Sequence, residues 1–164
     1  MPAAPETVRF MMDHMVIKLG KYLRILGYDA VWDSLLRTHA LIARANAEGR
    51  VFVTRNTHLK EQFPPVARAV LLTEAEPVLQ LSRLIAELKL ETKTGLFSKC
   101  IRCNMRLEIV ADPAAIRDRV HPNVFARHKR FFTCPVCRTV FWHGSHVRNT
   151  CQKLFGEAAP ADII

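Results

Sequence analysis

Two Cys-x-x-Cys turns, Cys100-Ile-Arg-Cys103 and Cys134-Pro-Val-Cys137, stand 30 residues apart. No other feature of the sequence restricts its folding as much. Each turn aims two thiolates at one point, and two turns complete a tetrahedron of sulfur about 2.3 Å from a metal ion. The separation is longer than the usual spacing, yet the pattern reads as a four-cysteine zinc ribbon over residues 96–155. Two disulfides, or a redox pair, are the competing readings. So short a segment has little apolar core, and the ion supplies much of its folding free energy. The stretches RLEIV and TVFWH read as its short strands. Thiolate ligation also implies an intracellular, reducing compartment, either the cytoplasm or an organelle matrix. The fifth cysteine, Cys151, reads as a buried helical residue. His146 reads as structural, because four thiolates already fill a zinc shell.

Upstream, the apolar pattern alternates between two periods. Residues 7–13, 28–32, 50–54 and 67–72 read as strands. Residues 14–26 read as a helix with Met15, Leu19, Tyr22, Leu23 and Leu26 on its inner face, stopped by Gly27. His14, Lys18, Lys21 and in part Arg24 fall on its outer face. Thr38 is placed to cap a second helix that ends at Gly49. A turn over residues 58–62 is closed by Pro64-Pro65. Pro77 opens a last helix with Val78, Leu81, Leu84, Ile85 and Leu88 as its stripe. Strand and helix alternate four times, the pattern of a parallel α/β sheet over residues 8–90. Residues 91–99, ETKTGLFSK, read as a linker, and residues 1–7 and 156–164 as tails.

Sheets of this kind bind ligands beyond the C-terminal ends of their strands. Asp13, Asp33, Asn56, Glu74 and Glu76 fall there, with Thr38 at the first turn of the following helix. Asp13 has two readings, an N-cap or a metal or polar site. Asn56 and Thr38 carry no charge and read as caps, while Asp33, Glu74 and Glu76 read as solvated.

The net charge is +9. Residues 91–164 hold 12 Lys and Arg against 6 Asp and Glu. Such an excess points to a polyanionic partner, most often nucleic acid, against the plainer reading of solubility. Phe125-Ala-Arg127-His128-Lys129-Arg130-Phe131-Phe132 combines cations for phosphates with rings for bases. At least one of Phe131 and Phe132 is expected in the core. Lys18 and Lys21 form either a wet face or a phosphate contact. No apolar run approaches the length a membrane helix requires, about 20 residues, and the start reads as neither a secretory signal nor a transit peptide.

The order of these elements resembles the Mut-seven C-terminal RNase domain family. The resemblance rests on the stretch from Asp13 to Asp29, DHMVIKLGKYLRILGYD, on ANAEGRVFVT ending at Thr54, on Leu71-Leu72 and Gln80-Leu81, on the four cysteines, and on FWHGSH at residues 141–146. It covers roughly residues 8–155. The resemblance implies a PIN-like fold followed by a zinc ribbon, and a ribonuclease that uses clustered carboxylates to hold Mg2+ or Mn2+. Asp13 matches the first of these acids. Where the family has Thr-Arg-Asp this chain has Thr54-Arg55-Asn56, and Thr38 stands where the family carries another acid. Glu74 and Glu76 are the acids left to compensate, though nothing in the sequence places them close to Asp13. Mg2+ demands oxygen ligands and releases its waters reluctantly, and Asn and Thr offer oxygen without charge. The resemblance therefore implies an RNA-binding protein with a degenerate nuclease site, of the kind that could serve as a structural component of a ribonucleoprotein such as a ribosome. The alternatives are a working metal-dependent ribonuclease and a protein-interaction adaptor.

Overall fold

The structure is a computed structural model and describes residues 7–63 and 65–157. Pro64 and most of both tails lie outside the described residues. The chain divides into two compact units, with the change-over between Asn104 and Met105.

The first unit is built on a four-stranded parallel sheet in the order β2-β1-β3-β4. Its strands are β1 (Arg9–Met12), β2 (Asp29–Val31), β3 (Val51–Thr54) and β4 (Ala69–Leu71). All four residues of β3 are buried, as a central strand covered on both faces requires. The helices are α1 (Ile17–Ile25), α2 (Thr38–Glu48), α3 (Leu59–Gln62) and α4 (Pro77–Leu88). Leu41, Ile42 and Ala45 of α2 pack with Met11, Phe52 and Leu59 in one buried cluster. Pro77 occupies the first turn of α4, and Leu81 and Leu84 are buried.

Three details depart from the expectations above. Helix α1 does not start at His14. Residues His14–Val16 form a 3-10 turn, which advances the helical phase. Val16 is therefore buried at 1% exposure, and Met15 stands 56% exposed. Arg24, expected in part on the wet face, is 5% exposed. Its side chain donates to Ala30 O at 2.8 Å and to Ile101 O and Arg102 O at 2.9 Å each. Residues 91–99 are not a free tether. Tyr28 donates its hydroxyl to Glu91 O, Phe97 N–H donates to Ile25 O at 2.7 Å, and Leu96 is buried. Gly27 explains this docking. It lies at φ +91°, and a Cβ there would stand 2.4 Å from Gly95 O, so only glycine admits the approach.

At the N-terminal end of the sheet, Arg50 gathers charge. It pairs with Asp29 at 2.9 Å and with Glu48, which also pairs with Arg44 at 2.6 Å. Asn104 Nδ2 also donates to Asp29, at Oδ1 and 2.6 Å.

The second unit holds a three-stranded antiparallel sheet of β5 (Glu108–Ile109), β6 (Phe131–Thr133) and β7 (Val140–Trp142). A 3-10 segment, Pro113–Arg119, and helices α5 (Pro122–Arg127) and α6 (Ser145–Phe155) complete it. Phe131 is the core ring, stacked on Phe125 at 6.0 Å.

Burial alone would raise the Asp29 carboxyl. Hydrogen bonds from Arg50 and Asn104, and the charges of Arg50 and Lys99, outweigh it and hold its pKa below the usual range. A depressed folded pKa adds stability above the unfolded value, about 3.9, and that stability is lost as pH falls through the folded value. Asp29→Asn is expected to cost about 1–2 kcal/mol near neutrality. The penalty should shrink as pH drops below about 4. Urea unfolding of both proteins across pH measures this, and a penalty independent of pH would contradict it.

Candidate functional site

The sulfurs of Cys100, Cys103, Cys134 and Cys137 all lie within 4.8 Å of one another. Cys100 and Cys134 are buried, and Cys103 and Cys137 are half-buried. The five cysteines are thiols rather than disulfide partners. The two turns share one backbone design. Asn104 N–H donates to Cys100 O at 2.9 Å, and Arg138 N–H to Cys134 O at 3.0 Å. Asn104 at φ 63° and Arg138 at φ 62° both take the left-handed conformation. Cys103 N–H also faces Cys100 Sγ at 3.4 Å. Tetrahedral thiolate ligation places sulfurs about 3.8 Å apart, so this cluster fits a zinc-like ion held by all four.

Asn104 does more than close the first turn. Its Oδ1 accepts Ala30 N–H at 3.3 Å while its Nδ2 binds Asp29. Together with Arg24 it satisfies both outward backbone groups of Ala30 on the edge strand β2. Sequence reasoning missed this task for both residues. An Asn directly after a Cys-x-x-Cys was the available signal, because Asn tolerates positive φ.

The second location is the C-terminal end of the sheet. Asp13 is 4% exposed. Its Oδ1 caps the 3-10 turn by accepting His14 N–H at 2.7 Å, and its Oδ2 accepts the Thr54 hydroxyl at 2.5 Å. Thr54 Oγ1 in turn accepts Asn56 N–H at 3.0 Å. The ends of β1 and β3 are thus joined by an Asp13–Thr54–Asn56 chain. Asn56 Oδ1 accepts His58 N–H at 3.0 Å, a local turn that leads into α3. Asp33 makes a similar turn with Leu35 N–H. Thr38 is not a cap: α2 begins on it, Arg37 holds the cap position, and no side chain closes that end. Glu74 is engaged with Arg83 of α4 at 3.3 Å. Among the described residues, the four cysteines are the sole group of three or more Cys, His, Asp or Glu side chains close enough to share an ion.

Arg55, between Thr54 and Asn56, is a residue that sequence reasoning passed over. Its Nε is buried with no hydrogen-bond partner among the described residues. A buried guanidinium donor of this kind is expensive unless an acceptor arrives. Lys18 and Lys21 are exposed on α1. In the second unit Arg127, Lys129 and Arg130 are exposed, with the Arg130 guanidinium 5.8 Å from the Phe132 ring centre. Cys151 is buried in α6, and burial pushes its thiol pKa up, the opposite of a nucleophile's need. His146 meets Trp142 edge-on at 5.7 Å.

Protein purified without added metal should carry about one zinc per chain. Removing it with a strong chelator, or replacing Cys134 by Ser, should cost β5–β7 their order, because the unit's core is small. Elemental analysis and circular dichroism measure the two effects. Stoichiometric absence of metal in a chain that still unfolds cooperatively over both units would exclude the site.

No helix among the described residues is long and apolar enough to cross a membrane. No curated protein and no solved structure matches the chain significantly. The family model described as the Mut7-C RNAse domain matches residues 8–154, which takes in the parallel sheet, the strand-end chain of Asp13 and Asn56, and all four cysteines. The chain belongs to the Mut7-C RNAse domain family.

Proposed function

We propose that this chain is an RNA-binding protein with a PIN-like domain and a zinc ribbon, and that its nuclease centre has lost the charge needed to hold a catalytic ion. One observation carries the reading: Asp13 bonds the neutral Thr54 hydroxyl, and among the described residues no three carboxylates come close enough to share an ion. Metal-assisted phosphate hydrolysis holds its ion against a polyanion by acidic charge. Asp13 supplies that charge alone, and both its oxygens already serve protein donors. Glu74 is drawn toward Arg83. Were Mg2+ or Mn2+ bound there, Asp13 would be its acidic ligand and would orient water for attack on phosphate. A role as a structural clamp in a ribonucleoprotein such as a ribosome follows from RNA contact without turnover. The unpartnered Arg55 donor and the exposed Arg127, Lys129 and Arg130 support a polyanionic partner.

Wild-type protein should show little Mn2+-dependent cleavage of single-stranded RNA. Asn56→Asp with Thr38→Asp should bind Mn2+ more tightly, and added Asp13→Ala should abolish that gain. Calorimetric Mn2+ titration and a gel cleavage assay read the two effects. Robust wild-type cleavage that disappears in Asp13→Ala would replace this reading with that of a working ribonuclease.

RNA affinity should also fall steeply with salt, because cations released from phosphates drive binding. Replacing Arg127, Lys129 and Arg130 together should flatten the log–log slope by about 0.7–0.9 for every phosphate that is no longer neutralised. An unchanged slope would move the phosphate-binding surface to other cations, Lys18 and Lys21 first. No RNA binding at any salt would favour the adaptor reading.

A further inference from the structure

A small antiparallel sheet with one packed face ordinarily turns polar residues outward on the other. The sheet of the second unit departs from this. Residues directly opposite one another on antiparallel strands share a face. The pairs Phe131 with Trp142, and Phe132 with Phe141, therefore mark opposite faces. The face of Phe131 is the packed one: Phe131 is 1% exposed, Phe125 of α5 stacks on it, and His146 of α6 meets Trp142. The other face carries Ile109, Phe132 and Phe141 in one row across β5, β6 and β7. Ile109 is 60% exposed, and both rings are half-buried.

Two further groups join this row by the alternation of extended chain. Arg130 lies two residues before Phe132, with its guanidinium 5.8 Å from the ring centre. His143 lies two residues after Phe141 and stacks on Phe132 at 4.9 Å and 27°. The surrounding unit is basic, with nine Lys and Arg against four Asp and Glu over residues 105–157. A cross-strand aromatic pair helps any sheet. It does not explain a partly exposed row of flat groups beside a guanidinium in a basic unit. That combination fits unpaired nucleobases, whose faces stack on aromatic and guanidinium planes while cations follow the backbone.

We propose that the outward face of this sheet is a stacking platform for unpaired bases of single-stranded RNA, with Phe132, Phe141 and His143 as the stacking surface and Arg130 holding the adjoining phosphate. This rests on the RNA-binding reading above and specifies its ligand. Bases in a duplex are already stacked and cannot occupy the platform. Sequence preference should be weak, since every base has a π face.

The test uses the full chain with its metal and a fluorescein-labelled oligouridine of about ten nucleotides. Its comparators are an abasic strand of equal length and an RNA duplex. Phe132→Leu and Phe141→Leu keep apolar bulk and remove the π face. Each should weaken oligouridine binding by about 5- to 150-fold. Both should bind the abasic strand as wild type does. If either variant fails to fold, the wild type crosslinked to 4-thiouridine RNA decides. Adducts on Phe132, Phe141 or His143 support the platform, and adducts confined to other segments overturn it. Equal wild-type binding of oligouridine, abasic strand and duplex would overturn the platform and leave RNA binding standing. No binding of any probe at low salt would overturn both.

Discussion

The buried guanidinium of Arg24 holds together three parts of the first unit that lie far apart in sequence. It comes from α1, donates to Ala30 O on the edge strand, and donates to the carbonyls of Ile101 and Arg102 inside the first Cys-x-x-Cys turn. Its face lies 3.7 Å from the Trp32 ring centre. Burial draws its pKa down to about 10, opposed by the charges of Cys100, Asp29 and Cys103, so it remains a cation at neutral pH. Leaving a buried carbonyl unpaired costs about 1–3 kcal/mol, and Arg24 meets the buried one of Ala30 along with two that are part-buried. A lysine could not do the same, because a single ammonium lacks the planar fork. Asn104 completes the arrangement by taking Ala30 N–H. An exposed strand edge is a template for unwanted pairing. Here the edge is closed by side chains that also position a metal-binding turn.

The two ends of the parallel sheet have separate tasks. Its N-terminal end is tied by charge, Asp29 to Arg50 to Glu48 to Arg44. Arg50 is 8% exposed and makes charge-assisted bonds, the stronger kind, while Arg44 lies at the surface. The C-terminal end is tied by one carboxylate, one hydroxyl and one amide, Asp13 to Thr54 to Asn56. The link to Asn56 runs through its backbone N–H, while its side-chain Oδ1 shapes the turn into α3 by accepting His58 N–H.

Membership in a nuclease family fixes ancestry, and the site decides chemistry. In this chain the groups suited to RNA contact are spread more widely than those suited to cleavage. Cations lie on α1, at Arg55 and across the second unit, whereas among the described residues no three acids come close enough to share an ion. Binding needs many weak phosphate contacts. Hydrolysis needs a few oxygens placed closely around an ion.

Much of this was legible in the sequence, for identifiable reasons. Strand–helix alternation announced the parallel sheet, because period-2 and period-3.6 patterns are local properties. Gly27, Gly49 and Pro77 marked helix ends because their backbone limits are intrinsic. The cysteines announced a metal cluster because two residues between thiols bring both to one point. Other features needed the folded chain. A 3-10 turn after Asp13 exchanged Met15 for Val16 in the core, and no local pattern records that shift of phase. Thr38 has no cap role because α2 begins on it. Arg24 is a buried tie instead of a surface cation, since its acceptors include carbonyls 77 and 78 residues away. The row of Ile109, Phe132 and Phe141 exists only through strand register. Sequence by itself determined which groups were available and how each short segment would bend. Which of them meet was decided by long-range pairing, because a side chain cannot signal in advance a partner that folding alone brings near.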